Sequence, residues 1–244
     1  RDYALLLSAR GQDAEAEVLE REVVETRRQL FGDDHPLTLS ATQDLAVVLT
    51  EQGKYEEAGF LVRQALETQE RILGPLHRQT LLSMHTLAAL LKSQGHYEEA
   101  ESLYRKVIEG RRKTLGDDHT HTQSAVNNLA VILNLLKRPD EAEPLYREAI
   151  DVRERTLGRQ HPGTLVSINN FAQFLARQGK YDEAEKLYRE IVASSAQVMG
   201  PTHPDALTML GNLGNLLAAQ DKFDEAEPLI RKAYETHLRV HGPD

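Results

Sequence analysis

The chain has 244 residues, 40% of them hydrophobic and 27% charged, the balance expected of a soluble globular protein. Its 38 acidic and 29 basic residues leave a net charge of −9, which argues against a nucleic-acid backbone as partner. No run approaches the ~18 consecutive apolar residues of a membrane span, so no membrane insertion is expected. Cysteine is absent, which excludes disulfide staples, thiolate metal sites and a cysteine nucleophile, and fits a reducing, cytoplasmic compartment. No secretory leader is visible, although the chain begins at Arg1 and leaves an upstream segment open.

Internal repetition sets the architecture. In chain order, glycine returns every 42 residues at Gly32, Gly74, Gly116, Gly158, Gly200 and Gly242. A histidine stands three residues after the first five: His35, His77, His119, His161 and His203. A Glu-Ala pair keeps the same period from Glu15-Ala16 to Glu225-Ala226. The units are a truncated 1–31, then 32–73, 74–115, 116–157, 158–199 and 200–241, with 242–244 opening another linker. Residues 1–10 match only the second half of a first helix, Tyr3, Ala4 and Leu7 aligning with Leu45, Ala46 and Leu49. Both ends are therefore expected to be cuts through a longer array.

Each unit reads as two helices. Leu45, Ala46 and Leu49 form the stripe of an amphipathic first helix, with equivalents Leu87/Ala88/Leu91, Leu129/Ala130/Leu133, Phe171/Ala172/Leu175 and Leu213/Gly214/Leu217. A turn follows at Gly53-Lys54, Gly95-His96, Lys137-Arg138, Gly179-Lys180 and Asp221-Lys222, where glycine suits the left-handed backbone of a helix end. The second helix runs through Ala58 and Ala65 to Leu73, its small residues allowing close helix approach. Pro36, Pro162 and Pro204 mark first helical turns. Glu17→Arg21, Glu101→Arg105, Glu143→Arg147, Glu185→Arg189 and Glu227→Arg231 are i,i+4 pairs worth roughly 0.2–0.5 kcal/mol each. Pro144 and Pro228 fall inside second helices, where a proline is expected to kink or delay the helix. They share one phase, so the fold tolerates proline there. The expected class is all-α, an α-solenoid winding as a right-handed superhelix of helix-turn-helix units.

These residues resemble the tetratricopeptide repeats of kinesin light chains and their relatives, whose 42-residue units carry L-G-x-x-H-P linkers and N-N-L-A helices. The match is Leu157-Gly158-Arg159-Gln160-His161-Pro162 with Asn169-Asn170-Phe171-Ala172, and Leu115-Gly116-Asp117-Asp118-His119 with Asn127-Asn128-Leu129-Ala130. The second-helix motif Y-x-E-A-E-x-L-Y stands at Tyr97 to Tyr104 and Tyr181 to Tyr188. Asp44 and Thr86 replace the second asparagine in two units. Similar repeats occur in many scaffolds, some fused to nucleotide-binding signalling domains.

The resemblance implies that first helices line a concave groove and second helices form the back. Formal charges on the first helices (Asp44, Glu51, Arg78, Lys92, Arg177 and Asp205) then cancel, and the acidic excess falls on second helices and linkers. Asn128, Asn170 and Asn212, with Asn127 and Asn169 beside them, sit mid-helix, where asparagine is a mediocre helix former. One reading is a ladder of amides gripping an extended peptide. Units lie roughly 10 Å apart and an extended chain advances about 3.3 Å per residue, so one asparagine would meet about every third ligand residue. The other reading is that the amides bond between adjacent helices. Further candidates on that face are Lys92, Asn134, Gln173, Arg177 and Asn215, with His85 and Val131 near them.

The linker histidines, roughly one repeat apart, are too far from one another for a metal that needs donors near 2.1 Å, and capping the linker turn is their expected role. No phosphate loop, nucleophile elbow or H-E-x-x-H motif is present. Glu56-Glu57 and Glu98-Glu99 are read as helix N-terminal charges rather than an acid–base pair. The chain is thus expected to be a non-catalytic, cofactor-free scaffold of the kinesin light chain type. Its partner would be a protein or peptide held in the groove, its oligomeric state undetermined. The alternatives are a structural spacer or self-association arm, or the sensor repeats of a larger signalling ATPase.

Overall fold

A computed structural model describes residues 13–241; the expectations for residues 1–10 and for Gly242-Pro243-Asp244 lie outside the described residues. Eleven helices run in order among the described residues, with no strand: α1 (Asp13–Phe31), α2 (Pro36–Glu51), α3 (Tyr55–Leu73), α4 (Arg78–Ser93), α5 (Tyr97–Leu115), α6 (Thr120–Leu135), α7 (Pro139–Leu157), α8 (Pro162–Arg177), α9 (Tyr181–Val198), α10 (Pro204–Ala219) and α11 (Phe223–His241). The even-numbered first helices begin 42 residues apart, and so do the odd-numbered second helices from α3 onward. The chain divides into two compact bodies, Asp117 closing the first and Asp118 opening the second. Within each body, consecutive helices pack on one another, which is the stacking of an α-solenoid. In the second body the first helices also touch directly, α6 against α8 and α8 against α10.

The linker explains why every first helix starts where it does. Glycines at the ends of second helices take positive φ, 84° at Gly74 and 92° at Gly158, a backbone that a Cβ would strain. The turned carbonyl accepts a hydroxyl from the next first helix: Thr38 donates to Gly32 O at 2.8 Å, and Thr80 and Thr164 donate to Gly74 O and Gly158 O at 2.9 Å. The intervening histidine is the N-cap. Its Nδ1 accepts the N–H two residues on, from Leu37, Gln79, His121, Gly163 and Asp205, at 3.1–3.2 Å. One repeated side chain thus satisfies a helix-end donor otherwise left without a partner.

The interior is built from the repeated stripes. Ala46, Ala58, Ala88, Ala100, Ala130, Ala142, Ala172 and Ala184 are fully buried where helices cross, and Leu49, Leu133 and Leu175 lock beside them. Gly214 replaces the alanine of this phase in α10, where a Cβ would meet Ile230 Cγ1 at 2.5 Å and the Ala226 carbonyl at 3.3 Å.

Pro144 and Pro228 do not delay their helices. α7 begins at Pro139 and α11 at Phe223, five residues ahead of each proline, and both helices continue past it. Both prolines are solvent-exposed near the helix start, so the carbonyl that loses its N–H partner is left to water.

Candidate functional site

The outward face of the second body's first helices repeats every three or four residues. It presents Ser124, Asn128, Val131 and Leu135 on α6, then Val166, Asn170, Gln173 and Arg177 on α8, and Thr208, Asn212, Asn215 and Ala219 on α10. Gln173, Arg177 and Asn215 are exposed; Asn128, Asn170, Asn212 and Asn134 are half-buried. In the first body, the same face carries Leu37, Ser40, Asp44, Val47 and Glu51 on α2, and Leu82, Thr86, Ala89 and Ser93 on α4. Lys92, the counterpart of Asn134, is half-buried one residue short of that face, and His85 is turned toward the second helix behind it.

Asn127 and Asn169 do not share that outward face. They are 4% and 8% exposed, buried among the helices behind the face. Asn169 Oδ1 accepts from Asn212 Nδ2 at 2.9 Å, joining α8 to α10. A residue adjacent in sequence lies about 100° around a helix, so the first asparagine of N-N-L-A turns inward while the second faces out.

Behind the face runs a seam of buried polar side chains that sequence reasoning missed. Second-helix residues one repeat apart, Gln69, Arg111 and Arg153, each lie in it. In the first body Gln43 Nε2 donates to Ser83 Oγ, which donates to Gln69 Oε1 at 2.5 Å. Arg111 Nη1 stands 3.4 Å from His85 Nδ1, and burial pushes its guanidinium pKa down to about 10. In the second body Arg153, 7% exposed, donates to Gly163 O at 2.5 Å, Ser167 Oγ at 2.7 Å and Ser124 Oγ at 2.8 Å. These acceptors are neutral, and among the described residues no carboxylate pairs with Arg153; burial lowers its pKa too. The available signal was positional: Gln69, Arg111 and Arg153 recur at 42-residue intervals, on the phase that turns inward.

Aromatic packing backs the α8 part of the face. Tyr146 on α7 meets Phe174 and Phe171 at ring-centroid distances of 5.2 and 5.9 Å, and Arg147 caps the Phe171 ring at 4.9 Å. Burial raises the phenol pKa of Tyr146 and of Tyr188, and the charge of Arg177 opposes both shifts from the rim.

Acidic charge sits on the second helices. Glu17, Glu101, Glu143, Glu185 and Glu227 pair with the arginine four residues on. Three of them also reach the next unit's turn lysine: Glu17 to Lys54 and Glu185 to Lys222 at 2.6 Å, Glu143 to Lys180 at 3.2 Å. Lys222 first and Arg189 next hold Glu185 at a pKa of about 2. Among the described residues no helix is long and apolar enough to cross a membrane. Nor do any three His, Asp or Glu side chains there cluster as a metal site would require.

A stack of helix pairs with an amide-bearing face and an ion-paired back defines a helical-repeat scaffold. Tetratricopeptide-repeat family models match residues 1–70 and 166–239, and 80–121 and 122–163. The chain belongs to the tetratricopeptide repeat family, and is a protein-interaction scaffold of a fold typically without catalysis. Among solved structures it is similar to a point-substituted form of the nearly identical TPR-like repeats assigned to a Podosopora anserina kinesin light chain. That match has 27% identity and a TM-score of 0.70 over 81% of this chain and 93% of that one. The corresponding structure without the substitution matches with 26% identity and a TM-score of 0.66, over 86% of this chain and 99% of that one. BtubC (BKLC) from P. vanneervenii shares the fold, with 21% identity and a TM-score of 0.72 over 93% and 92%. No curated protein matches the chain.

Proposed function

We propose that the chain is a non-catalytic adaptor of the kinesin light chain type, whose first-helix face in the second body holds an extended segment of a partner protein. The observation that carries this reading is the alignment of Asn128, Asn170 and Asn212 on touching helices, each half-exposed on one outward face. An amide offers a donor and an acceptor together, which is what the backbone of an extended segment requires. Gln173, Arg177 and Asn215 widen that face, and Asn134 flanks it, as its counterpart Lys92 flanks the corresponding face of the first body. Asn127 and Asn169 set the floor from behind rather than touching ligand. Asn212 divides its amide between stacking and ligand, since one of its groups already bonds Asn169. The chain works in the cytoplasm, a setting supported by the absence of cysteine in all 244 residues.

The test selects binders from a displayed library of extended peptides and measures their affinity by calorimetry. Each amide–backbone bond contributes about 0.5–1.5 kcal/mol net, so Asn128→Ala/Asn170→Ala is expected to weaken binding about 5- to 150-fold while the circular dichroism spectrum is unchanged. Undiminished affinity in the folded double variant removes the asparagines as the grip.

A further inference from the structure

We propose that Arg153 is a positioning residue for the amide face, holding α6 and α8 at the spacing from which Asn128 and Asn170 grip one ligand backbone. The inference rests on the peptide-holding reading and adds what sets its geometry.

Arg153 enters from α7, behind the face, and fastens the two first helices to each other. Its Nη2 donates to Ser124 Oγ on α6, while its Nη1 donates to Ser167 Oγ and Gly163 O, both on α8. Ser124 stands one helical turn before Asn128, and Ser167 stands three residues before Asn170. A guanidinium presents its donors in a rigid planar fork, so bonds to both helices fix distance and angle together. The clamp therefore lies within about one turn of both asparagines.

The repeat shows that the acceptors accompany the clamp. One unit later, the positions of Arg153, Ser124 and Ser167 hold Ser195, Val166 and Met209. Ser195 bonds Val192 O in its own helix at 3.3 Å, and Asn169 and Asn212 join α8 to α10 instead. One unit earlier the same positions hold Arg111, Leu82 and Ala125, and Arg111 stands beside His85. Two units earlier they hold Gln69, Ser40 and Ser83, and Gln69 Oε1 accepts from Ser83 Oγ. The two serines thus occur together where a long polar side chain bonds one or both of them, and give way to apolar residues elsewhere. Helix stacking itself does not require them.

Nor is the clamp a stability device. A buried guanidinium whose acceptors are all neutral carries a desolvation cost, and replacing buried charge by apolar groups is often neutral or stabilising. The serines do not depend on Arg153 either, because Ser124 Oγ donates to Thr120 O at 3.0 Å and Ser167 Oγ to Gly163 O at 3.3 Å. What the fork supplies is a fixed separation of α6 and α8 at the face.

Two measurements test this. Because the chain has no cysteine, Val131→Cys/Gln173→Cys puts one spin label on α6 and one on α8, about 10 Å apart by helix spacing. Dipolar spectroscopy is expected to give a narrow distance distribution that Arg153→Met broadens, while the denaturation midpoint stays level or rises. Calorimetry then uses a library-selected peptide whose affinity falls in Asn128→Ala/Asn170→Ala. Arg153→Met is expected to weaken that peptide about tenfold, part of what two amide–backbone bonds contribute. Arg153→Lys keeps the charge without the fork and is expected to weaken it as much. An unchanged label distance in Arg153→Met overturns the proposal, as does full affinity in that variant. So does full affinity in Arg153→Lys, which would assign the effect to charge, or a midpoint that drops together with affinity. Peptides that bind without needing the asparagines would instead remove the peptide-grip reading, and the label distance would still decide the role of Arg153.

Discussion

The two bodies carry the same repeat but present different first-helix faces. The first offers Leu37, Val47 and Leu82 to solvent, with Asp44 and Glu51 between or beyond them. The second offers Asn128, Asn170, Asn212, Gln173 and Asn215, and its helices α6 and α8 contain no carboxylate at all. Behind the faces the difference persists. Each seam holds a buried guanidinium, but the first body's includes an amide–hydroxyl relay through Gln43, Ser83 and Gln69 and sets Arg111 beside His85, whereas the second sets Arg153 among hydroxyl and carbonyl oxygens. Helix pairing needs only the alanine and leucine phases, so the outward and seam positions are free to diverge. A shared fold can therefore carry two chemistries, an apolar surface and an amide surface.

The comparison breaks most readily at the second body's aromatic cluster. Phe174 is fully buried and touches both Tyr146 and Phe171, while its first-body counterparts are Val48 and Leu90. Phe174→Ala is expected to cost about 3–5 kcal/mol, measured by denaturant unfolding. Val48→Ala at the smaller counterpart removes fewer atoms and is expected to cost clearly less. Losses in proportion to the atoms removed would show that the cluster adds nothing beyond its buried volume.

The glycines sharpen the contrast at a smaller scale. Gly110 in α5 and Gly214 in α10 both stand where a Cβ would come within 2.5 Å of a neighbour. At Gly110 the obstruction is leucine side-chain carbon; at Gly214 it includes the Ala226 carbonyl and the Ile230 nitrogen. Side chains can shift and backbone cannot do so as readily. Gly214→Ala restores the alanine used in every other unit, and is still expected to destabilise by about 1–3 kcal/mol despite its better helix propensity. A stabilised variant would show that α10 and α11 can separate without loss.

These two positions also mark how far the sequence could be read. Linker histidines, glycine turns, i,i+4 pairs and the buried stripe were legible because each depends on local backbone chemistry repeated five times. Asn127 and Asn169 were grouped with Asn128 and Asn170 because adjacency in sequence hides a turn of about 100° around the helix. Arg153 was not singled out, since an arginine on a charged second helix looks like a solvated one until the neighbouring first helices close over it. Gly214 appeared only as a member of the stripe, its crowding depending on the β-branched Ile230 one helix away. The cross-unit bonds from Glu17, Glu143 and Glu185 to turn lysines likewise need the stacking before they can be seen.

Those bonds distinguish the bodies under acid. In the first, the stitch from Glu17 to Lys54 is not repeated, because Gly59 occupies the next glutamate position and His96 the lysine position. In the second, Glu143 and Glu185 both make it. Glu185 has a folded pKa of about 2, below the ordinary carboxylate value. A depressed carboxylate contributes its stability fully above the unfolded pKa, and the contribution fades as pH falls toward the folded value. Wild type is therefore expected to exceed Glu185→Gln by up to about 1 kcal/mol at neutral pH, the figure for solvent-screened pairs, and the two should converge as pH approaches 2. A gap that stays constant with pH would assign the effect to packing.

The smallest expected effect has the opposite sign. Among the described residues, both first-body turns between paired helices use glycine at positive φ, Gly53 at 74° and Gly95 at 83°. The second body uses Gly179 once, but Lys137 at 58° and Asp221 at 60° elsewhere. A Cβ in the left-handed region is unfavourable by roughly 1–2 kcal/mol, and aspartate tolerates it better than lysine because its carboxylate can bond locally. Lys137 does not make the cross-unit bond; that belongs to the following residue of each turn, as in Lys180 and Lys222. Lys137→Gly should therefore relieve strain without removing a contact. Against that gain stands the larger chain entropy glycine gives the unfolded state, about 0.4–1 kcal/mol. The net expectation is a stabilisation of about 0.5 kcal/mol, read as a small rise in the denaturation midpoint. Asp221→Gly should give less. A loss of stability at Lys137→Gly would mean that the left-handed turn is held by its neighbours at no strain, and that the glycines of the first body are not required by the turn itself.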